Sequence, residues 1–121
     1  MARSDLNACI SQLARTLEYM YKWDNLRRYT QAGEEKGGLS WIRSLEEARA
    51  EINSLFRRYP SLKKKLPEYL SIAWKDAVDR IGIWLRDIDR DDLIAIIPEK
   101  GPYTYEETMT RDLRKEIRHK G

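Results

Sequence analysis

The spacing of apolar residues near the start of the chain is the feature that most constrains its fold. Between residues 5 and 29, apolar side chains recur at steps of four, three, four and three, namely at Leu6, Ile10, Leu13, Leu17 and Met20. That spacing places them on one stripe of an α-helix. Ser4 or Asp5 can cap its N-terminus. The sequence therefore predicts a long first helix with one buried face.

Two further stripes predict two more long helices. The glycine-containing segment TQAGEEKGG has no periodic apolar residue, which indicates a loop over residues 30–39. Ser40 is then expected to cap a helix that ends before Pro60, since a proline disfavours helical backbone in the residue before it. Pro67 fits the first turn of the next helix. The apolar stripe of that helix contains Leu66, Leu70, Ala73, Ala77 and Ile81.

The last third predicts shorter elements. An acidic turn and the apolar piece DDLIAIIP precede a second loop at 98–103. Thr104 and Glu107 have the spacing of a capping box, which predicts a final helix through about His119. No segment alternates apolar and polar residues for long. We therefore expect a single all-α domain over residues 1–121, built as a small antiparallel bundle of three main helices plus a short helix and a C-terminal helix.

Composition indicates a folded, heavily charged domain. Charged residues make up 36% of the chain, but hydrophobic residues make up 41% and include four tryptophans. Disordered chains lack such residues because they cannot bury enough apolar area to offset chain entropy. The net charge is only +3, from 23 basic and 20 acidic residues that are interspersed. Dedicated nucleic-acid binders concentrate positive charge on one face, so the balance does not favour that class.

The chain offers few signals of export or membrane insertion. It has one cysteine, Cys9, so it cannot form an internal disulfide, and this suggests a reducing compartment. Its start has no apolar run of signal-peptide length, and no segment reaches the ~20 apolar residues of a membrane span. These features predict a cytoplasmic protein that is not embedded in a membrane.

Five short motifs, in order, resemble a known family. They are Lys22 with Trp23, Ser40 with Trp41, Pro60 to Leu62, Trp74 with Ala77, and Pro102 to Thr104. Their order and spacing over about Leu6 to Met109 resemble domain of unknown function family 29, which is common in cyanobacteria and other bacteria. The resemblance implies a bacterial protein with a helical fold, and it implies no established activity.

This chain departs from the family pattern in two ways. Family members usually have a further N-terminal helical segment, and this sequence starts without it. They also commonly have a histidine shortly before the Lys-Trp pair, whereas this chain reads EYMY at residues 18–21. Whatever that histidine does in other members is absent here.

The sequence contains few of the residue patterns that enzyme catalysis requires. The only histidine is His119, close to the C-terminus, and Cys9 has no histidine nearby in the sequence to activate it. There is no glycine-rich phosphate loop, no HExxH and no Glu-x-x-His pair. We therefore assign no catalytic residue and expect no cofactor. A non-enzymatic function is favoured, and the question of enzyme activity stays open.

The acidic turn at 87–92 is the best candidate for a metal site. Asp87, Asp89 and Asp91 have the x, x+2, x+4 spacing of a calcium loop. The position that should be glycine is Asp92, and the position that should be a bidentate glutamate is Pro98. The loop therefore lacks both the glycine that allows its sharp turn and the carboxylate that would bind calcium through two oxygens. We expect a helix end followed by a new helix that is capped by Asp89 and has acidic residues in its first turn, where the helix dipole favours them, and no metal.

A basic cluster supports two interpretations. It contains Arg57, Arg58, Lys63, Lys64 and Lys65. Leu62 and Leu66 flank the lysines and can anchor a turn between two helices, which favours a solvated turn. A contact with a polyanion is the alternative, and the basic residues at 111–120 add to it.

The first helix also carries the main functional hypothesis. If the family's extra segment normally covers part of the bundle, this chain must leave that face open or cover it with another molecule. We therefore expect a protein-interaction module that forms a homo-oligomer or binds a protein partner. The predicted contact residues are Leu6, Ile10, Leu13, Leu17, Tyr21 and Trp23. The alternative function is weak nucleic-acid binding through residues around 57–65 and 111–120.

Overall fold

The computed structural model describes residues 3–118, and within them it is all-α, with no strand. In chain order the α-helices are α1 (Arg3–Asn25), α2 (Gly33–Lys36), α3 (Leu39–Arg58), α4 (Ser61–Lys65), α5 (Leu70–Asp87), α6 (Tyr105–Thr110) and α7 (Leu113–Arg118). Single 3₁₀ segments cover Arg27–Tyr29, Leu66–Tyr69 and Asp91–Ile96. The three long helices are those predicted from the apolar stripes.

Helix α1 lies between α3 and α5. Both of those helices pack mainly against α1 and make few contacts with each other. Because α1 is covered on two sides, its buried surface is much wider than one apolar stripe. It includes Thr16, Glu18 and Lys22 as well as the expected leucines. This central position of α1 determines where the candidate site lies.

The segment after α1 differs from the prediction. The first helix ends at Asn25 rather than near Tyr29, and the loop expected at 30–39 contains the short helix α2. Helix α3 begins at Leu39, and its N-cap is Gly38 instead of Ser40. Gly38 has a φ of 83°, a left-handed conformation that glycine adopts without steric cost. A side chain there would also collide with the ring of Trp41.

The prediction of a single C-terminal helix through His119 is wrong. Helix α6 ends at Thr110, Arg111 is extended, and α7 starts at Leu113. The guanidinium of Arg49 in α3 donates to the carbonyl oxygens of Thr108 at 2.9 Å and of Arg111 at 2.7 Å. These bonds satisfy carbonyl groups that a continuing helix would use, so they stabilise the break. His119 lies outside the described residues.

The acidic turn is organised by an arginine. Asp89 adopts a left-handed φ of 60°, and the guanidinium of Arg90 donates to both oxygens of Asp92 at 3.0 and 2.9 Å. That hydrogen bonding lowers the pKa of Asp92. Asp91 and Asp92 begin the 3₁₀ segment, as expected, but its N-cap is Arg90, so the predicted cap at Asp89 is wrong. Among residues 3–118, no three histidine, cysteine, aspartate or glutamate side chains are grouped closely enough to hold a metal ion.

The capping box at the start of α6 is confirmed. The hydroxyl of Thr104 accepts the backbone N–H of Glu107 at 3.0 Å, and the Glu107 carboxylate accepts the backbone N–H of Thr104 at 3.2 Å. Thr104→Ala removes the first of these bonds. We expect it to lower the free energy of unfolding by about 1 kcal/mol in urea denaturation followed by circular dichroism.

Thr110→Ala is the matched control, because the Thr110 hydroxyl lies at the other end of α6 and donates to a backbone carbonyl without capping the helix. It should change the free energy of unfolding by less than Thr104→Ala. Equal losses for the two variants would show that the capping box does not stabilise the folded chain.

Candidate functional site

The C-terminal half of α1 is where the motif segments meet. Lys22 lies beside Trp41, and the ring of Tyr21 packs edge-on against Trp74 with centroids 5.7 Å apart. The hydroxyl of Tyr103 donates to Asp24 at 2.6 Å. Segments far apart in the sequence therefore converge on residues 18–24, and this convergence makes the region the candidate site.

A buried ion pair occupies the centre of this region. The ammonium of Lys22 lies 2.8 Å from the carboxylate of Glu18, one helical turn earlier, and the two residues are only 4% and 6% exposed. The Lys22 nitrogen also lies 5.4, 5.7 and 5.1 Å from the ring centroids of Tyr19, Trp41 and Trp84. A buried charge is tolerated only when it is paired, and aromatic faces attract cations. One carboxylate and three rings therefore replace water around this ammonium.

Two of these rings also form the wall of a surface groove. Trp41 and Trp84 meet edge to face, with centroids 5.3 Å apart and planes at 87°, and both are half-buried. The groove beside them has a volume of about 460 Å³ and is also lined by residues 29–32 and 36–39. We call it the Trp41–Trp84 groove. Leu39 and Ile88 add apolar surface, and Lys36 is the one lysine, arginine, aspartate or glutamate among the described residues that line it.

Close packing of two glycines holds the outer wall of the groove. A Cβ atom on Gly37 would overlap the Thr30 side chain and the backbone carbonyls of Arg27 and Gly33. The Thr30 hydroxyl itself donates to the Arg27 carbonyl at 3.0 Å. With Gly38 in its left-handed conformation, the loop folds tightly against the start of α3. The groove is therefore formed without a ligand, as most binding pockets are.

The stripe predicted for self-association is not at the surface. Ile10, Leu13, Leu17, Tyr21 and Trp23 are each 8% exposed or less, and Leu6 is partly buried against the same core. The structure brings most of these side chains together, but as the chain's own interior between α3 and α5. Self-association therefore needs another surface than the one predicted.

The basic cluster is exposed. Within residues 3–118, Arg57, Arg58 and Lys63 to Lys65 make no ion pair, while Leu62 and Leu66 are fully buried. This arrangement fits the solvated-turn interpretation and leaves the charges free for a polyanion.

The basic residues further along the chain are different. Arg111 pairs with Asp24 and Glu116, and Arg114 pairs with Glu46. Hydrogen bonds from Arg111 to those two carboxylates raise the pKa of its guanidinium. These two charges are paired within the molecule, so they are less available to a polyanion than the cluster at 57–65, whereas Lys115 is exposed and makes no ion pair within residues 3–118. Residues beyond Arg118 lie outside the described part of the chain.

Cys9 is fully buried, and burial raises the pKa of its thiol, with Asp5 and Glu51 adding to the effect. A protonated, enclosed thiol is a poor nucleophile. It acts here as a small apolar group in the core. Among residues 3–118, no helix is long and apolar enough to cross a membrane.

Sequence reasoning missed three parts of this site. The Glu18–Lys22 pair has the i, i+4 spacing that marks helical ion pairs, and this was the available signal. Trp84 lies outside the five family motifs. The contact of Asp24 with Arg111, 87 residues later, had no signal in the sequence. Burial and the Asp24 hydrogen bond raise the pKa of Tyr103, so its phenol stays protonated and donates.

The buried pair gives a prediction about stability. Lys22→Met leaves the Glu18 carboxylate buried without a cation, which should lower the free energy of unfolding by about 3–5 kcal/mol. The double variant Glu18→Leu with Lys22→Met removes both charges and should recover most of that loss. Urea denaturation of the two single variants and the double variant measures the coupling. Additive losses would show that Glu18 and Lys22 do not depend on each other in solution.

Comparison with known proteins gives the family and nothing more specific. The model of the family described as Domain of unknown function DUF29 matches residues 1–113. No curated protein and no solved structure matches the chain. The matched range includes all the residues that line the Trp41–Trp84 groove and both members of the buried ion pair. The chain belongs to the DUF29 family, whose function is unknown.

Proposed function

We propose that this chain is a protein-interaction module that self-associates through the Trp41–Trp84 groove. The observation that carries the proposal is the groove itself, an apolar wall of two half-buried tryptophans. Tryptophans in partly covered pockets dominate the energy of many protein interfaces. The predicted contact stripe on α1 is occupied by the core, so a partner has to use another apolar surface, and this groove offers one.

A second copy is the partner that fits the groove. Leu39 lies on its edge and is 50% exposed, although it is a large apolar side chain. In a two-fold dimer the same patch faces itself, so Leu39 of each copy can enter the groove of the other. The groove is nearly free of charged side chains, so two copies meet there without like-charge repulsion. Lys36 alone brings a positive charge, and a lysine at the rim stays in water.

The other exposed apolar residues support this choice by contrast. Ile72, Ile83 and Ile96 are at least 50% exposed, but none of them lines the Trp41–Trp84 groove. Single apolar residues on a surface are normal and need no partner. Leu39 differs because it is exposed beside the Trp41–Trp84 groove of its own molecule.

Nucleic-acid binding is the second candidate function, and the exposed basic cluster favours it. Five of the nine residues from 57 to 65 are cationic and none is acidic. Within residues 57–65 the one aromatic ring, that of Tyr59, is half-buried, and there is no amide side chain. Such a surface is suited to phosphate groups without sequence preference.

The dimer prediction uses two equally exposed aliphatic residues. Leu39→Arg places a charge at the groove, whereas Ile72→Arg places one on α5 away from it, and the wild-type side chains are both 50% exposed. We expect the wild-type chain to sediment as a dimer at tens of micromolar in moderate salt. Leu39→Arg should sediment as a monomer and Ile72→Arg as a dimer, with unchanged helix content in both variants. A monomeric wild type, or equal effects of the two variants, would contradict the proposal.

The nucleic-acid candidate predicts a strong dependence on salt. If all five cations contact phosphates, the slope of log affinity for a 20-base-pair duplex against log salt should be about −4.5. Replacing Lys63, Lys64 and Lys65 by glutamine should reduce the slope to about −2. The control replaces three exposed cations elsewhere, namely Arg3, Arg28 and Arg86, and should leave a steeper slope than the lysine triple. Equal slopes for the two triple variants would exclude a role for the cluster.

A further inference from the structure

A second concave site lies on the other side of α1 and has no part in the proposed dimer. It has a volume of about 500 Å³ and lies between the first turns of α5 and the loop 98–103. We call it the Trp74 cavity. Its apolar walls come from Leu17, Leu70, Trp74 and Tyr103, and its polar groups come from Ser71, Lys75, Glu99 and Lys100. The volume is within the range of about 300–1,000 Å³ that is typical of small-molecule sites.

The cavity is formed and held without a ligand. Trp74 is only 2% exposed, and its indole N–H donates to the carbonyl of Pro98 at 3.0 Å. Gly101 lies so close to the indole that a Cβ atom there would be 3.2 Å from its Cγ. The loop is therefore fixed directly on the tryptophan ring. The Tyr103 hydroxyl is held by Asp24, which fixes the second aromatic wall. A preformed site loses little conformational entropy when it binds a ligand.

The charges of the cavity favour an anion. Lys75 and Lys100 both line it, both are exposed, and neither makes an ion pair within residues 3–118. Glu99 is the one carboxylate in the lining, and it is also exposed and without an ion pair in that part of the chain. Two ammonium groups against one carboxylate leave a positive balance. The Ser71 hydroxyl is a further hydrogen-bond donor.

We propose that the Trp74 cavity binds a small organic anion with a flat apolar body. The body packs against Leu70 and the phenol ring of Tyr103, which are both half-buried, and its carboxylate, sulfonate or phosphate group lies between the two lysines. The phenol ring favours a planar ring system, and the ammonium groups select the negative charge. This binding is independent of self-association, because neither of these lysines lines the Trp41–Trp84 groove.

A charge series on one ring system tests the chemistry of the site. The probes are naphthalene-2-sulfonate, neutral 2-naphthalenemethanol and cationic 2-naphthylmethylammonium, titrated into the full chain by isothermal calorimetry. The sulfonate should bind, the neutral analogue should bind about tenfold more weakly, and the cation more weakly still. Amide shifts at Gly101 and at the indole N–H of Trp74, measured by NMR, should mark the binding site.

Two variants locate the binding in the cavity. Lys75→Gln with Lys100→Gln should lower the affinity for the sulfonate to that for the neutral analogue, while Arg3→Gln with Arg86→Gln removes the same charge elsewhere and should leave it unchanged. Ser71→Trp fills the cavity from an exposed position and should abolish binding of all three probes, with helix content checked by circular dichroism.

No binding of the sulfonate at millimolar concentration would overturn the proposal, and so would equal affinities for the three probes. Equal losses in the Lys75/Lys100 and Arg3/Arg86 double variants would also overturn it, because the charge would then act from a distance rather than in the cavity. Sedimentation of the same variants separates this result from the dimer, since loss of the anion site leaves the mass unchanged.

Discussion

The buried ion pair between Glu18 and Lys22 is the interaction on which the arrangement of the long helices depends. An ammonium group inside a protein needs partners, and here the rings that enclose it come from three helices. Helices α3 and α5 have few contacts with each other, and the contact between Trp41 and Trp84 joins them directly. The charge in α1 therefore helps to fix the positions of both neighbouring helices.

This arrangement gives α1 a second role as the support for two concave sites. Trp41 and Trp84 cover Lys22 on one side and form a groove on the other, while Tyr21 and Leu17 lie behind the Trp74 cavity. Aromatic residues of the family motifs thus serve the core and the surface together. An aromatic ring is large enough to do both, because it can bury one face and present an edge to solvent. The motif residues Ser40 and Trp41 line the Trp41–Trp84 groove, and the motif residues Trp74 and Tyr103 line the Trp74 cavity.

The sequence predicted the parts of the fold that depend on local interactions. The apolar stripes located the three long helices, and Thr104 with Glu107 marked the start of α6 through bonds between residues three apart. The predicted self-association stripe shows the limit of this reasoning. Periodicity identifies an apolar face but does not say what covers it. Two helices from elsewhere in the chain cover α1, so a stripe assigned to a partner is the interior of the monomer.

The sequence by itself determined the helical class, the long helices, the family and the exposed basic turn, because each follows from spacing or from residues near one another in the chain. Only the tertiary structure decided the rest. Arg49 stabilises the break before α7 through carbonyl groups 58 to 62 residues away. Trp84 closes over Lys22, and the loop at 98–103 rests on Trp74. These contacts join segments that share no local pattern, because the relative positions of packed helices depend on the shapes and charges of all the side chains between them.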